Sequence, residues 1–460
     1  MQATLKTVPT TIRRYGLGLP RTSLPNRARQ AVRSRSVSRE WVLILPFVFF
    51  AVHGAFSFQL GGNSVGVFLP PGAAARNPGI IGYVIIPGVA YSVVLWMILS
   101  NWKHVASLAS HFKLLTLLAL LTICSAAWSQ NPMRSAVFGT SYIIGTLFAY
   151  SLVSRFEPYQ LMALLNRAGM MVCGLSLIMA VCFPQYGVVG DLDPRNVGAW
   201  RGIFIDRTSG AKEMVFLLTP AIAGWRGASR GGRAISILLF SVMLVRAQAV
   251  TALIALFAYI VFLAMLRLKR ALGPRPSSIL LLLTIVALLS VAIVGANWLP
   301  AILQDLGRDP TLTGRTDIWR AVLNSVFKRP LLGYGFYSFW EGLHGESGNI
   351  FRAVNWTPGY AHNGILEIWL QLGIIGVLIF VATLIQALRN AWFCFRNGRT
   401  RRYDWFLGLI ALALVYNIDE ATVVFPNDLL PILYVVTCCG LAKAVWEIKQ
   451  DRYREVLQCG

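Results

Sequence analysis

The stretch 234–266 reads AISILLFSVMLVRAQAVTALIALFAYIVFLAML. It is too long for one ordinary membrane helix and short for two. Its flanks settle how it runs. Arg226, Arg230 and Arg233 precede it, and Arg267, Lys269, Arg270 and Arg275 follow. Positive clusters beside apolar spans stay in the cytoplasm, so both ends lie on one side and the chain must go out and return between them. The stretch therefore reads as a short helical hairpin, with Arg246 near its outer tip or in a cavity within the membrane.

Working outward, apolar runs of spanning length recur near 41–60, 79–100, 111–128, 135–153, 168–185, 212–225, 278–298, 363–388, 404–420 and 429–446. With the hairpin counted as two, about twelve crossings are expected and both termini face the cytoplasm. The expected fold class is all-α, a polytopic membrane helix bundle. Composition agrees. Hydrophobic residues make up 56%, charged residues only 13%, and the mean hydropathy is +0.60, which a lipid-solvated bundle needs and a soluble core does not. Helices satisfy their own backbone hydrogen bonds in hydrocarbon, and the runs are unbroken rather than alternating, which excludes an outer-membrane barrel.

In a soluble protein the net charge of +23 would point to nucleic acid. Its placement removes that reading. On this topology the outer segments hold equal numbers of basic and acidic residues, so the whole excess falls on the cytoplasmic side. Residues 1–40 carry nine basic residues and one acid, Glu40, with no apolar stretch, and read as a disordered cytoplasmic tail. Residues 41–446 form the bundle, and 447–460 a second cytoplasmic tail. Seven cysteines fall mostly in apolar runs and form no CxxC or Cys/His cluster, so they read as small hydrophobes.

Two outer loops are long, at 186–211 and 299–362; the second lies between helices 9 and 10 and exceeds what a connector requires. Within it Ile318, Trp319, Val322, Leu323, Val326 and Phe327 share one face, while Arg320, Asn324 and Lys328 share another, and Pro330 ends the run. This predicts a helix lying along the membrane surface. Tyr334, Phe336, Tyr337, Phe339, Trp340 and Trp356 read as an interfacial belt, or as platforms for sugar rings. Gly373 and Gly376 suggest close helix packing.

Three motifs follow in order: Thr-Gly-Arg-Thr-x-x-Trp from Thr313, Arg-Pro-x-x-Gly-x-Gly from Arg329, and His-Asn-x-x-Leu-Glu-x-Trp-x-x-x-Gly-x-x-Gly from His362. In this order and place the chain resembles the bacterial O-antigen ligases and polysaccharide polymerases, and looks most like exopolysaccharide polymerases of the rhizobial type. The resemblance implies an inner-membrane glycosyltransferase that moves glycans from a polyprenyl (undecaprenyl) pyrophosphate carrier at the periplasmic face. Its partners would be that lipid-linked oligosaccharide, the bilayer and a chain-length regulator or export complex.

Imidazole is the side chain best matched to accept a hydroxyl proton near neutral pH, which makes His362 the first candidate catalytic residue. The family's matching histidine is the proposed general base. Asn363 can cap the helix that follows. Glu367 lies at a depth where an ionisable group needs a partner, and either orients His362 or pairs with an arginine. Arg315, flanked by Gly314 and Thr316, can approach a phosphate closely and bind it with two nitrogens. Its bland alternative is an ion pair with Asp317 or Asp309. Thr316 could cap the surface helix or bond a phosphate oxygen.

Arg201, in Trp200-Arg201-Gly202-Ile203-Phe204, matches the family's Arg-Gly-x-Phe, where the arginine is thought to hold pyrophosphate. The match fails downstream, where Asp206-Arg207-Thr208 replaces a His-Lys-Asn-like triplet; Lys212 is another basic residue close by. An arginine inside an apolar hairpin is costly unless paired or hydrated, so Arg246 suggests either a phosphate contact or an intramembrane ion pair. Together Arg201, Arg246 and Arg315 would stabilise the diphosphate leaving group. No cofactor or metal is required, since Asp191 and Asp193 precede Pro194 and read as turn residues. His53, His104, His111 and His344 carry no motif. A transporter or flippase remains the alternative of a different class.

Overall fold

The computed structural model describes residues 40–52, 86–190, 196–224, 228–272, 315–343, 345–354, 357–398 and 401–459. The tail before Glu40, the expected span 278–298, and Gly314, Asp191, Asp193, His53, His344 and Trp356 lie outside them.

Among the described residues the fold is helical, with one isolated β-bridge, Val188 to Trp200. The helices are α1 (Glu40–Val52), α2 (Ile86–Leu99), α3 (Trp102–His111), α4 (Lys113–Cys124), α5 (Pro132–Arg155) and α6 (Pro158–Cys182). After a four-residue helical turn come α7 (Arg207–Ala223), α8 (Arg230–Ala247), α9 (Val250–Leu272), α10 (Arg315–Val326), α11 (Gly345–Val354), α12 (Gly364–Asn397), α13 (Asp404–Asp419) and α14 (Leu429–Cys459).

Five of these are long and apolar enough to cross a membrane: α5, α6, α9, α12 and α14. The protein is a multi-pass membrane protein. A sixth span arises if α3 and α4 count as one, but they meet at 99° across Phe112; the predicted run 111–128 corresponds to α4 and the short helical turn after it. Three shorter apolar helices fall in α1, α2 and α13. This count is of the described residues alone, and the expected span 278–298 lies outside them.

The hairpin is present. Gln248 adopts φ 53° at the end of α8, the chain turns, and α9 starts at Val250. Arg270 on α9 pairs with Asp404 at the start of α13, holding the two helices together at one end. The centre of the bundle is α14, of whose spanning window 78% is buried, against 33% for α9 at the periphery. It packs on α5, α12 and α13. Next to it α7 is buried almost continuously from Gly210 to Ala221, and Thr219 on it accepts from Trp405 (2.9 Å) and Tyr259 (3.1 Å).

The described part of the loop before α12 has an apolar core of its own. Ile318, Val322 and Val326 of α10 are fully buried against Phe339, Trp340, Ile350, Phe351 and Leu370. The apolar face of this helix thus packs on protein instead of on a membrane surface, and only Phe327 of the predicted face is strongly exposed (66%). The belt expectation is corrected for the same reason: Tyr334, Phe336, Phe339 and Trp340 are buried. Apolar side chains in a long loop find each other before they find lipid.

Gly373 is corrected as well. It does not serve helix packing. It breaks α12 with φ 66° and ψ −171°, and the loop 330–335 docks into the break. Ile374 N–H donates to Pro330 O (2.9 Å), Tyr334 N–H to Leu370 O (2.9 Å), and Gly335 N–H to Gln371 O (2.9 Å). A Cβ on Gly373 would sit 2.0 Å from the Leu331 carbonyl oxygen, and one on Gly333 2.7 Å from the Gln371 backbone. The Arg-Pro-x-x-Gly-x-Gly motif and the glycine of the His-Asn motif are therefore two halves of one joint. Gly373→Ala is expected to cost more than the ~1–3 kcal/mol of left-handed strain, because the clash adds to it. A reduced yield of folded protein and a lower unfolding temperature in detergent would show this; unchanged values would refute the joint.

Candidate active site

His362 sits immediately before α12 with φ 48°, a left-handed backbone that a residue other than glycine holds only when its surroundings fix it. The fixing groups come from the motifs. Trp319 Nε1–H donates to Ala361 O (3.1 Å) and His362 O (3.3 Å). Ala361 N–H donates to Glu367 Oε2 at 2.7 Å. Asn363 caps α12 by accepting from Ile365 and Leu366 N–H, both 3.0 Å, and donates to Ile418 O on α13 (3.2 Å). Gly364 approaches α13 so closely that a Cβ would lie 2.1 Å from Asn417 Oδ1.

Glu367 resolves neither way that the sequence suggested. Its carboxylate accepts from Ala361 N–H, Trp340 Nε1–H (3.1 Å) and Gln371 Nε2–H (2.6 Å), so it holds the backbone before His362 and not the imidazole. Thr316 is corrected too: α10 begins at Arg315, which puts Thr316, exposed, inside the first turn and not at the cap.

Of the two aspartates near Arg315 in the sequence, Asp309 lies outside the described residues. Asp317 faces Arg320 at 3.4 Å, on the surface, while Arg315 Nη2 lies 3.7 Å from Glu420 Oε1. The same oxygen is 3.8 Å from His362 Nδ1. The other carboxylate oxygen accepts from the Tyr360 hydroxyl, and the Tyr360 ring lies on His362 with centroids 4.1 Å apart. Glu420, which follows α13 and is 3% exposed, is thus the point on which Arg315, Tyr360 and His362 converge. Sequence reasoning missed it. The available signal was an ionisable residue directly after an apolar helix, where charge is expensive unless used.

Burial alone would raise the Glu420 carboxyl pKa. The approach of His362, the charge of Lys212 and the Tyr360 hydroxyl outweigh that and hold it down to about 2. The group is ionised throughout the physiological range. Glu420 Oε1 lies on the Nδ1 side of the imidazole, opposite Nε2. Lys212, buried on α7, has Glu420, Asp428, Glu213 and Asp206 as its charged neighbours and lies 5.8 Å from the Phe425 ring. The lysine that the sequence noted only in passing therefore belongs to the Glu420 surroundings.

Arg201 and Arg246 are joined through Trp200, which adjoins Arg201 in sequence. Trp200 N–H donates to Arg246 O (2.8 Å), and the exposed Arg246 guanidinium lies 4.8 Å from the Trp200 ring. Arg201 donates to the carbonyls of Tyr186 (2.9 Å) and Ile205 (3.4 Å). Arg207, in the triplet that departs from the family pattern, donates to the Ala247 and Gln248 carbonyls at the hairpin tip (3.1 and 2.7 Å), while Asp206 caps α7. The departed triplet is an anchor for the hairpin.

Residues 235–381 match the family model described as O-Antigen ligase. The segment holds the hairpin, Arg246, Arg315, His362 and the Gly373 joint. Over this segment the chain is similar to the O-antigen ligase and polysaccharide polymerase family. Among its relatives, it is 27% identical over 168 residues to the exopolysaccharide production protein ExoQ of Rhizobium meliloti, covering 35% of this chain and 38% of that protein. It is 31% identical over 118 residues to a Rickettsia conorii protein provisionally named a polysaccharide ligase, covering 25% and 29%. A like-named protein of Rickettsia bellii is 24% identical over 318 residues, covering 68% and 76%. The chain thus aligns with well under half of the first two relatives. Arg201, Lys212 and Glu420 lie outside the family-matched segment.

Proposed function

We propose that this chain is a metal-independent membrane glycosyltransferase that joins polyprenyl-diphosphate-linked oligosaccharide repeat units into an exopolysaccharide or O-antigen. The observation that carries the reading is the convergence of His362 and Arg315 on one buried carboxylate. His362 Nε2 accepts the proton of the attacking sugar hydroxyl, Glu420 holds the imidazole and meets its growing charge, and Arg315 faces the diphosphate that departs. Arg201 and Arg246 extend the cationic side toward the remaining phosphate. In this reading the bundle has about twelve crossings in the inner membrane, both termini lie in the cytoplasm, and the site opens to the periplasm. Partners are the lipid-linked oligosaccharide and a chain-length regulator or export complex.

The second reading is transfer of finished glycan to lipid A core, favoured by the family description and by the names of the rickettsial relatives. The match to the exopolysaccharide production protein supports polymerisation. Purified protein supplied with lipid-linked repeat unit separates them. A ladder of lengths is the expected product. A single transfer onto added lipid A core would give the ligase, and movement of substrate with no new glycosidic bond would replace both with a transporter.

A further inference from the structure

A strip of half-buried rings leaves the His362 side of the site. Tyr360 lies on His362; Phe425 meets Tyr360 at 5.4 Å and 88°, Tyr337 meets Phe425 at 6.2 Å and 81°, and Phe138 meets Tyr337 at 4.4 Å. Each of these four rings keeps part of its surface open, unlike the buried Phe336 and Phe339 beside them. At the far end the Arg134 guanidinium lies 5.3 Å from Tyr337 and 5.7 Å from Phe138, with Glu341 as its acidic neighbour. Tyr337 itself has φ 56°, held in part by its N–H bond to Gln371 Oε1 (2.9 Å).

The polar end is incomplete. Arg134 Nε and Glu341 Oε1 are both buried and have no hydrogen-bond partner within the described protein. An unmade buried donor and an unmade buried acceptor at the same end of the strip are each costly, and a ligand that offers both functions would relieve them. A sugar hydroxyl does so, since it donates to the carboxylate and accepts from the guanidinium. The apolar C–H face of the same sugar suits a ring surface, which is why amphipathic ligands rest on aromatics with a polar handle nearby. The strip begins at the ring that stacks on His362, where an attacking hydroxyl must arrive.

We propose that Phe138, Tyr337, Phe425 and Tyr360, closed by Arg134 and Glu341, form the subsite for the acceptor oligosaccharide, leading its terminal hydroxyl to His362. This rests on the transfer reading above for its role, though not for its binding. The probe is the oligosaccharide released from its lipid carrier by mild acid, so that no phosphate contributes, titrated against the full-length protein in detergent by saturation-transfer NMR. Wild type is expected to bind it. Tyr337→Ala and Glu341→Gln are expected to weaken binding about tenfold, the equivalent of about one hydrogen bond or ring contact, and Tyr337→Phe to retain it. In transfer assays the same two variants should raise the acceptor KM while keeping kcat at saturating acceptor.

Unfolding temperature in detergent guards against loss of fold; should Tyr337→Ala fail to fold, the isosteric Glu341→Gln decides. No binding to wild type, or equal binding to wild type and folded Glu341→Gln, overturns the subsite. Binding that the variants lose, in a protein that makes no glycosidic bond, leaves the subsite standing and removes the transferase reading instead.

Discussion

His362→Ala is expected to abolish glycan product while the protein still accumulates, folded, in the membrane. General base catalysis supplies roughly 10²–10⁴-fold, and with no other imidazole in this neighbourhood of described residues the loss should reach at least its lower bound. The variant should fold, because the loop is held by groups other than the imidazole: Trp319 on the Ala361 and His362 carbonyls, Glu367 on Ala361 N–H, and Asn363 on the first turn of α12. What it loses is the ring against Tyr360 and the approach to Glu420. Arg315→Ala should cost a comparable ~10²–10³-fold through lost charge stabilisation of the departing diphosphate. Normal polymer from both variants would sink the site.

Glu420→Gln carries the second large effect. The amide keeps the shape and can still accept from Tyr360, but it removes the anion that Arg315 and His362 both face. Product should fall by at least about tenfold, with Arg315→Ala and Glu420→Gln together costing less than the sum of the separate losses, as expected for residues of one network. A fully additive double variant, measured by transfer rate, would separate the two residues.

Glu420 also links pH to stability. Its carboxyl is held near 2 against an ordinary 4.5, so the folded state favours the ionised form. That stabilisation is fully present above about 4.5 and is lost as pH falls toward 2. Thermal unfolding in detergent between those values should fall more steeply for wild type than for Glu420→Gln.

Much of the site was legible because it is local. The Thr-Gly-Arg-Thr-x-x-Trp and His-Asn motifs place Arg315, Trp319, His362, Asn363 and Glu367 within short windows, and Asn363 caps α12 as its chemistry dictates. The break of the hairpin beside Arg246 followed from charge clusters on either side of one apolar run. Roles were less legible than identities. Glu367 could be read as needing a partner, but that the partner is a backbone N–H before His362 depends on how the 360–363 loop folds back over α12.

The amino-acid sequence by itself determined the membrane class, the helical architecture and the candidacy of His362 and Arg315, since hydropathy, charge asymmetry and motif spacing are properties of the chain. Only the tertiary structure decided that Glu420 joins them, that Gly373 and the 330–335 loop form one joint, and that the loop aromatics divide into a buried core and an open strip. Those features arise where separate helices and loops meet, and contact between elements distant in sequence leaves no periodic trace along any one of them.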